Sequence, residues 1–432
     1  MTPAARASAA IEILADMEAR KRPAAEALKD WGSSHRFAGS GDRAAIGNLV
    51  FDCLRHRASA TFAMGEGTPR ALVLRTLVSQ WRMTAEEVAA LADGSRYAPQ
   101  PLSAAELAGL KAEVPATAPA HVRGDYPDWL EGEFGRAFGP LAAEQGAGLA
   151  CRAPVDLRVN TIKADRDKVL KALRRFEAEA TPLSPFGIRV AHRPGPSRSP
   201  HLEAEPGHGK GWYEVQDEGS QLATLLAGAG PRQQVIDFCA GAGGKTLGLA
   251  ALMENTGQLY AYDADALRLR PIFERLKRAG VRNVQVLPAG DAEGVAKLEG
   301  KMDLVLIDAP CSGSGVWRRR PDAKWRLSPQ MLEARRGEQQ AVLEEGAPLV
   351  KPGGRLAYVT CSVLPSENRD QVELFLARHA EFKLIPWPEL WQSSLAGTAP
   401  IPSADGSAET LLMSPRDHGT DGFFVAVMQR AS

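Results

Sequence analysis

The sequence predicts an α/β chain whose C-terminal half is a doubly wound, mostly parallel, Rossmann-like sheet. Three observations carry that expectation. From Gln234 onward, short β-like runs alternate with helical ones, the pattern of parallel strands joined by crossover helices. The first run ends in a glycine-rich turn, Asp237-Phe-Cys-Ala-Gly-Ala-Gly-Gly-Lys-Thr246, that opens a helix. The first stretch of the chain, up to roughly residue 115, shows apolar residues at helical spacing only.

With 432 residues the chain is too long for one ordinary core, so two or three domains are expected. We divide it into a helical part, residues 1–118, a mixed α/β part, residues 126–211, and the doubly wound part, residues 212–432. No apolar run is long enough to span a bilayer. Glu12, Asp16 and Glu18 interrupt the apolar stretch that a signal peptide needs. A cytoplasmic protein without a membrane partner is therefore expected. Its five cysteines (Cys53, Cys151, Cys239, Cys311, Cys361) lie far apart, with no Cys-x-x-Cys and no nearby His pair. That argues against a disulfide framework and a zinc site, and no metal is expected. Formal net charge is zero, so any nucleic-acid contact must come from local basic patches.

Taken in order, Ile46, Leu49, Val50, Cys53 and Leu54 form one apolar helix face, and Leu74, Leu77, Val78 and Trp81 repeat the spacing. Pro115 to Pro119 reads as a linker. Asp156–Asn160 and Gly187–Val190 read as strands, Arg166–Phe176 as a helix, and Pro194–Gly211 as a Pro/Gly/His-rich loop. Trp212–Val215 comes next, then Asp217 as N-cap of a helix over Gln221–Leu226. The large sheet takes Gln234–Cys239, Gln258–Asp263, Val284–Pro288, Met302–Asp308, Arg355–Cys361 and Gly422–Met428.

The turn Cys239-Ala240-Gly241-Ala242-Gly243-Gly244-Lys245 allows close approach of a ligand to backbone, and the helix it opens favours negative charge. About twenty residues on, Asp263 ends the next strand, where a carboxylate can accept ribose hydroxyls. Gly244-Lys245-Thr246 and Leu304–Asp308 also suggest a P-loop NTPase, but Cys239 stands where that motif needs its first glycine.

Cys311 and Cys361 each follow the end of a predicted strand, where ligands of open α/β sheets bind. If the strands are neighbours, their tips lie about 5 Å apart. A thiol pair beside a nucleotide-type turn points to cytosine C5 methylation: a thiolate adds to C6, C5 becomes nucleophilic and takes a methyl group, and a base then removes the C5 proton. Asp308 is placed to act as an acid at the N3 or N4 edge of the base. Cys53 and Cys151 read as small buried hydrophobes.

These segments resemble the RsmB/Nop/Sun family of S-adenosylmethionine-dependent RNA 5-methylcytosine methyltransferases. The matching residues are Asp308-Ala-Pro-Cys-Ser-Gly-Ser-Gly-Val316, Lys351-Pro-Gly-Gly354, Thr360-Cys-Ser362, Glu367-Asn368 and Asp421-Gly-Phe-Phe424. Val155–Asn160 and Val215–Gln221 resemble segments that precede that family's catalytic domain. The resemblance covers roughly Tyr126 to the C-terminus. It implies a Rossmann-like class I methyltransferase domain preceded by a small mixed α/β, RRM-like segment and an all-helical domain. It also implies Cys361 as nucleophile, Cys311 as the residue that helps release product, and Cys239 to Lys245 with Asp263, Asp291 and Asp308 as contacts to S-adenosylmethionine. Lys245 and Asp308 would also face the target base. One departure is visible: the family's turn usually reads Cys-Ala-Ala-Pro-Gly-Gly-Lys, and Gly241 and Ala242 replace its second Ala and its Pro. Losing Pro frees φ in the turn, which lowers the affinity expected for the cofactor.

DNA cytosine-5 methyltransferases use the Pro-Cys thiol and a different segment order, and amino-methylating enzymes carry Pro-Pro-aromatic where this chain has Ala309-Pro310-Cys311. Arg318-Arg-Arg-Pro-Asp-Ala-Lys-Trp-Arg326 offers cations for phosphates and Trp325 for base stacking, and Arg158, Asn160 and Lys163 are further RNA-contact candidates. Asp42–His56 resembles the NusB-like RNA-binding domain of bacterial RsmB-like members. The expectation is a monomeric RNA (cytosine-5) methyltransferase acting on rRNA. A tRNA substrate and a catalytically silent RNA-binding or assembly factor are the alternatives.

Overall fold

The computed structural model describes residues 1–198 and 200–432, which form two compact units. The first comprises Met1–Ala153, His192–Pro200 and Trp317–Leu327, and is helical. Helices Pro3–Arg20, Ser40–Arg55 and Pro69–Ser79 bury Ile13, Leu14, Ile46, Leu49, Val50, Cys53, Leu72, Leu74 and Leu77 together, so the apolar faces read from the sequence are the ones that pack. Thr84 and Ser103 start helices Ala85–Leu91 and Ala104–Lys111 with reciprocal capping boxes that satisfy otherwise orphaned N–H groups. This unit runs past residue 118, through helix Ala142–Ala150, to Ala153. Cys151 departs from expectation. It is exposed just beyond that helix, its Sγ 3.4 Å from the Ala147 carbonyl, because the helix ends at Ala150. Cys53 is fully buried, and burial pushes its thiol up to about 12.

The second unit comprises Pro154–Ala191, His201–Val316 and Ser328–Ser432. It contains a small antiparallel sheet of β1 (Val155–Val159), β2 (Glu179–Ala180), β3 (Gly187–Val190) and β4 (Tyr213–Val215) in the order β2-β3-β1-β4. Helix Arg166–Leu173 crosses between β1 and β2, and Leu157, Val159, Val169, Leu173, Ile188 and Tyr213 fill the core. The expected loop before Gly211 includes a 3-10 turn, Leu202–Ala204, and a short helix, Pro206–Gly209.

The large sheet contains β5 (Gln234–Asp237), β6 (Gln258–Ala261), β7 (Val284–Val286), β8 (Met302–Asp308), β9 (Val350–Thr360), β10 (Phe382–Ile385), β11 (Leu411–Met413) and β12 (Phe423–Arg430). Their order is β10-β12-β9-β8-β5-β6-β7, with β5 to β9 parallel, β12 antiparallel to β9 and β10, and β11 paired to β12. Strands buried on both faces read as nearly continuous apolar runs, and Leu304, Val305, Leu306 and Ile307 are all buried. The chain order reverses at β5, which pairs with β6 on one side and β8 on the other. The crevice outside the carboxyl ends of these strands is where such sheets bind ligands. Among the described residues no helix is long and apolar enough to cross a membrane.

Candidate active site at the carboxyl ends of the parallel strands

The glycine-rich turn leaves β5 at Asp237 and enters helix Gly244–Leu252. Gly241 and Gly243 have φ of +50° and +84°, the left-handed region that favours glycine. A Cβ at Gly243 would lie 2.5 Å from Ile272 Cγ1, so no other residue fits there. Ala240 N–H donates to the Tyr262 carbonyl at 2.9 Å and Gly241 N–H to Asp263 Oδ2 at 2.8 Å, which ties the turn to the end of β6. Thr246 Oγ1 donates to Asp237 Oδ2 at 2.7 Å. The other Asp237 oxygen is buried without a hydrogen-bond partner among the described residues, and burial pushes this carboxyl up to about 7. The sequence marks Asp237 as the start of the turn, and an acid closing an apolar strand is the signal for its buried role. Burial likewise raises the Cys239 thiol well above its ordinary range.

The expected acids stand at successive strand ends. Asp263 accepts from Gly241 N–H and, at 2.9 Å, from Asp265 N–H. Two bonds leave a carboxylate with acceptor sites to spare. Asp291 follows β7 and caps helix Ala292–Ala296 by accepting from Gly294 N–H at 2.9 Å. Asp308 ends β8 and pairs with the buried Lys245, its Oδ2 2.7 Å from Nζ, while Nζ lies 5.1 Å above the Phe423 ring.

Because β8 and β9 are parallel neighbours, Cys311 and Cys361 meet: their Sγ atoms are 3.3 Å apart, and both thiols are free. The contact with Cys361, followed by burial, raises the Cys311 pKa well above its ordinary range. Either thiol can donate to the other across this contact. A network rooted in Glu367 fixes this geometry. Its buried carboxylate accepts from Ser312 N–H (2.7 Å), Ser312 Oγ (2.5 Å), Ser362 Oγ (2.5 Å) and Gln339 Nε2 (3.1 Å). Burial raises its pKa although all four donors oppose the rise. Asn368 accepts from Thr360 Oγ1 and donates to the Ser362 carbonyl, and Gln339 also donates to the Pro310 carbonyl. Glu367-Asn368 was read only as a matching segment, and Gln339 was missed. It lies mid-helix, where nothing in the sequence separates it from a solvent-facing glutamine.

The RNA-contact candidates do not all reach a surface. Lys324 is 1% exposed, and its ammonium donates to the carbonyls of Arg55 and Asp125 within the helical unit. Trp325 Nε1 donates to the Leu54 carbonyl, and Trp317 packs near Phe134 with ring centroids 6.2 Å apart. Arg318 is buried as well, whereas Arg320 and Arg326 are exposed. This basic run is therefore mainly a buried part of the helical unit, since its apolar and hydrogen-bonding groups find partners there. Arg158 and Asn160 are also buried: Arg158 donates to the Gly244 carbonyl, and Asn160 to those of Gly211 and Ala279. Lys163 donates to the Arg278 carbonyl at 2.6 Å.

The crevice thus combines a glycine-rich turn with no room for a side chain at Gly243, a helix N-terminus, acids at the ends of β6 and β7, an ammonium–carboxylate pair and two thiols. The first three suit a ligand carrying an anionic end and a ribose, and S-adenosylmethionine fits them. The pair and the thiols suit a base whose ring must be attacked and whose polar edge must be held.

The chain is similar to known ribosomal RNA methyltransferases. The model of the family described as 16S rRNA methyltransferase RsmB/F matches residues 223–429, and that of the RsmF/B-like ferredoxin-like domain matches residues 126–195. The chain is 33% identical over 310 residues to a probable ribosomal RNA small subunit methyltransferase B of Synechocystis, covering 71% of this chain and 67% of that protein. It is 35% identical over 308 residues to the ribosomal RNA small subunit methyltransferase B of Pseudomonas syringae pv. tomato, covering 71% and 66%. These alignments thus span about two thirds of the relatives' length. A crystal structure of a methyltransferase homologue from Pyrococcus horikoshii superposes with a TM-score of 0.59 at 27% identity, covering 74% of this chain and all of that one. NSun6 from the same organism, solved with SFG, gives a TM-score of 0.62 at 22% identity, covering 71% and 98%, and shares the fold.

Proposed function

The chain belongs to the RsmB/F family of ribosomal RNA methyltransferases, and on that premise we propose that it methylates C5 of a cytosine in small-subunit ribosomal RNA. The observation that carries this reading is the pair of sulfurs 3.3 Å apart beside the Lys245–Asp308 pair. S-adenosylmethionine supplies an electrophilic methyl group when bound. The turn Cys239–Lys245 would hold it, with Asp263 toward the ribose and Asp291 and Asp308 as further contacts.

In this mechanism Cys361, as thiolate, adds to C6 of the target cytosine, and the C5–C6 π electrons move toward the polar edge of the ring. Asp308 holds the N3/N4 edge, and the Lys245 ammonium offsets the negative charge that develops there. C5 then carries the electron pair that takes the methyl group. The remaining C5 proton passes to a base, the C5–C6 double bond re-forms, and the C6–sulfur bond breaks. Cys311 is the second thiol within reach. We assign it to assist this release of the product.

The test is nucleoside mass spectrometry of small-subunit rRNA incubated with the protein and S-adenosylmethionine. Methyl label recovered as 5-methylcytidine is the expected result. Label in any other nucleoside, or none, would overturn the proposal.

A further inference from the structure

We infer that the small antiparallel sheet braces the cofactor turn from outside, with Arg275 and Arg158 as positioning residues for S-adenosylmethionine. The inference rests on the cofactor assignment above. Proline at position 242 would fix φ in the turn, and this chain carries Ala242 instead. What the turn lacks in its own chain is supplied by two guanidiniums.

Arg275, on helix Ile272–Ala279, donates from Nη1 to the Ala242 carbonyl at 2.8 Å. The same guanidinium is held by Glu214 of β4, through Nη2 at 3.0 Å and Nε at 3.3 Å, and Arg278 reaches the other Glu214 oxygen at 2.6 Å. Burial pushes the Glu214 carboxyl up, yet the two guanidiniums together hold it below its ordinary range, so it stays an anion. Arg158 of β1 enters from the same sheet. Its Nη1 donates to the Gly244 carbonyl at 2.7 Å and to Gln216 Oε1 just past β4. Gly248, one turn further along the cofactor helix, makes room for it, because a Cβ there would lie 2.8 Å from Arg158 Nη1. A mid-helix glycine costs about 1 kcal/mol relative to alanine, and here it admits the guanidinium. Both carbonyl anchors, Ala242 and Gly244, flank the conformationally demanding Gly243. The turn is therefore clamped on both sides by cations whose own anchors, Glu214 and Gln216, belong to or adjoin the small sheet.

Calorimetric titration with S-adenosylmethionine, in the absence of RNA, tests this on the full chain. Arg275→Met should raise Kd roughly tenfold, the usual consequence of losing a charge-assisted hydrogen bond. Arg278→Met removes the other cation from Glu214 without touching the turn, and should leave Kd within about twofold. Arg275→Lys keeps a cation near Glu214 but loses the fork, so Kd should rise severalfold at an unchanged melting temperature; this variant guards against a folding defect in Arg275→Met. Equal affinities for wild type, Arg275→Met and Arg275→Lys, or an equal loss in Arg278→Met, would overturn the brace. A wild-type chain that does not bind S-adenosylmethionine would instead overturn the functional reading.

Discussion

The two halves of the crevice are held together in opposite ways. The thiol pair is braced mainly by its own neighbours: Ser312, Ser314, Ser362, Glu367 and Asn368 lie within several residues of Cys311 or Cys361, while Gln339 and Gly422 come from elsewhere. The cofactor turn is braced from a distance, by Asp263, Arg275 and Arg158, residues on other elements. Local and remote support leave different marks on the chain. A site whose support is local appears as a compact run of residue types. A site whose support is remote appears as glycines and one distant acid, and its arginine braces leave no mark.

The largest effect should come from the nucleophile itself. Cys361→Ala should reduce methyl transfer to background while leaving S-adenosylmethionine binding within a few-fold, because the thiol adds to the base and not to the cofactor. Methylation by this variant at more than a trace rate would move the nucleophile to Cys311. Cys311→Ala should let the adduct form and slow its breakdown, so a denaturing gel should show a protein–RNA band that nuclease removes. If that band appears with Cys361→Ala instead, the two roles are reversed.

Glu367 sharpens the contrast. Its bonds end on the serines that follow both cysteines, so Glu367→Gln should displace the two thiols together. Displacements of about 1 Å at a reacting pair cost on the order of a hundredfold in rate. We expect kcat to fall by about that much and the Kd for S-adenosylmethionine to change less than twofold. If the loss instead appears in cofactor binding, the two halves of the crevice are not braced independently.

The same contrast separates what is legible in the sequence from what is not. Asp308 and Cys311 were legible because an acid, a proline and a thiol ending the apolar run Leu304–Ile307 have few structural uses. Thr360-Cys361 was legible for the same reason. Arg158, Asn160 and Lys324 misled, since a cation or amide destined for burial carries no local sign of it. Its burial is decided by carbonyls of residues such as Gly244, Ala279 and Arg55, far along the chain. Strands Phe382–Ile385 and Leu411–Met413 were missed because three or four residues are too few to show a period of two.

Removing residues 1–118 probes remote support in the other unit. The segment Trp317–Leu327 would lose the Arg55 carbonyl under Lys324, the Leu54 carbonyl under Trp325 and the Ala24 N–H that meets Asp322. The truncated chain should be cut by trypsin within 318–326 much faster than the full chain, with the Kd for S-adenosylmethionine nearly unchanged. An intact segment in the truncated chain would show that its support is local after all.

The smallest effect concerns Lys324 and pH. Burial holds its ammonium down to about 8, against 10.5 for an ordinary lysine. Between those values the unfolded chain binds a proton that the folded chain does not, so folding stability rises with pH across that window. Below about 8 both states are charged and the contribution is lost. In Lys324→Met this dependence disappears, and the carbonyls of Arg55 and Asp125 lose a donor, a cost of about 1–3 kcal/mol. The melting temperature of the wild type should therefore gain on that of Lys324→Met as pH is raised from 8 to 10, by a few degrees. A gap that narrows over the same range would mean that the lysine is held as a charged group, with its two carbonyls outweighing the burial.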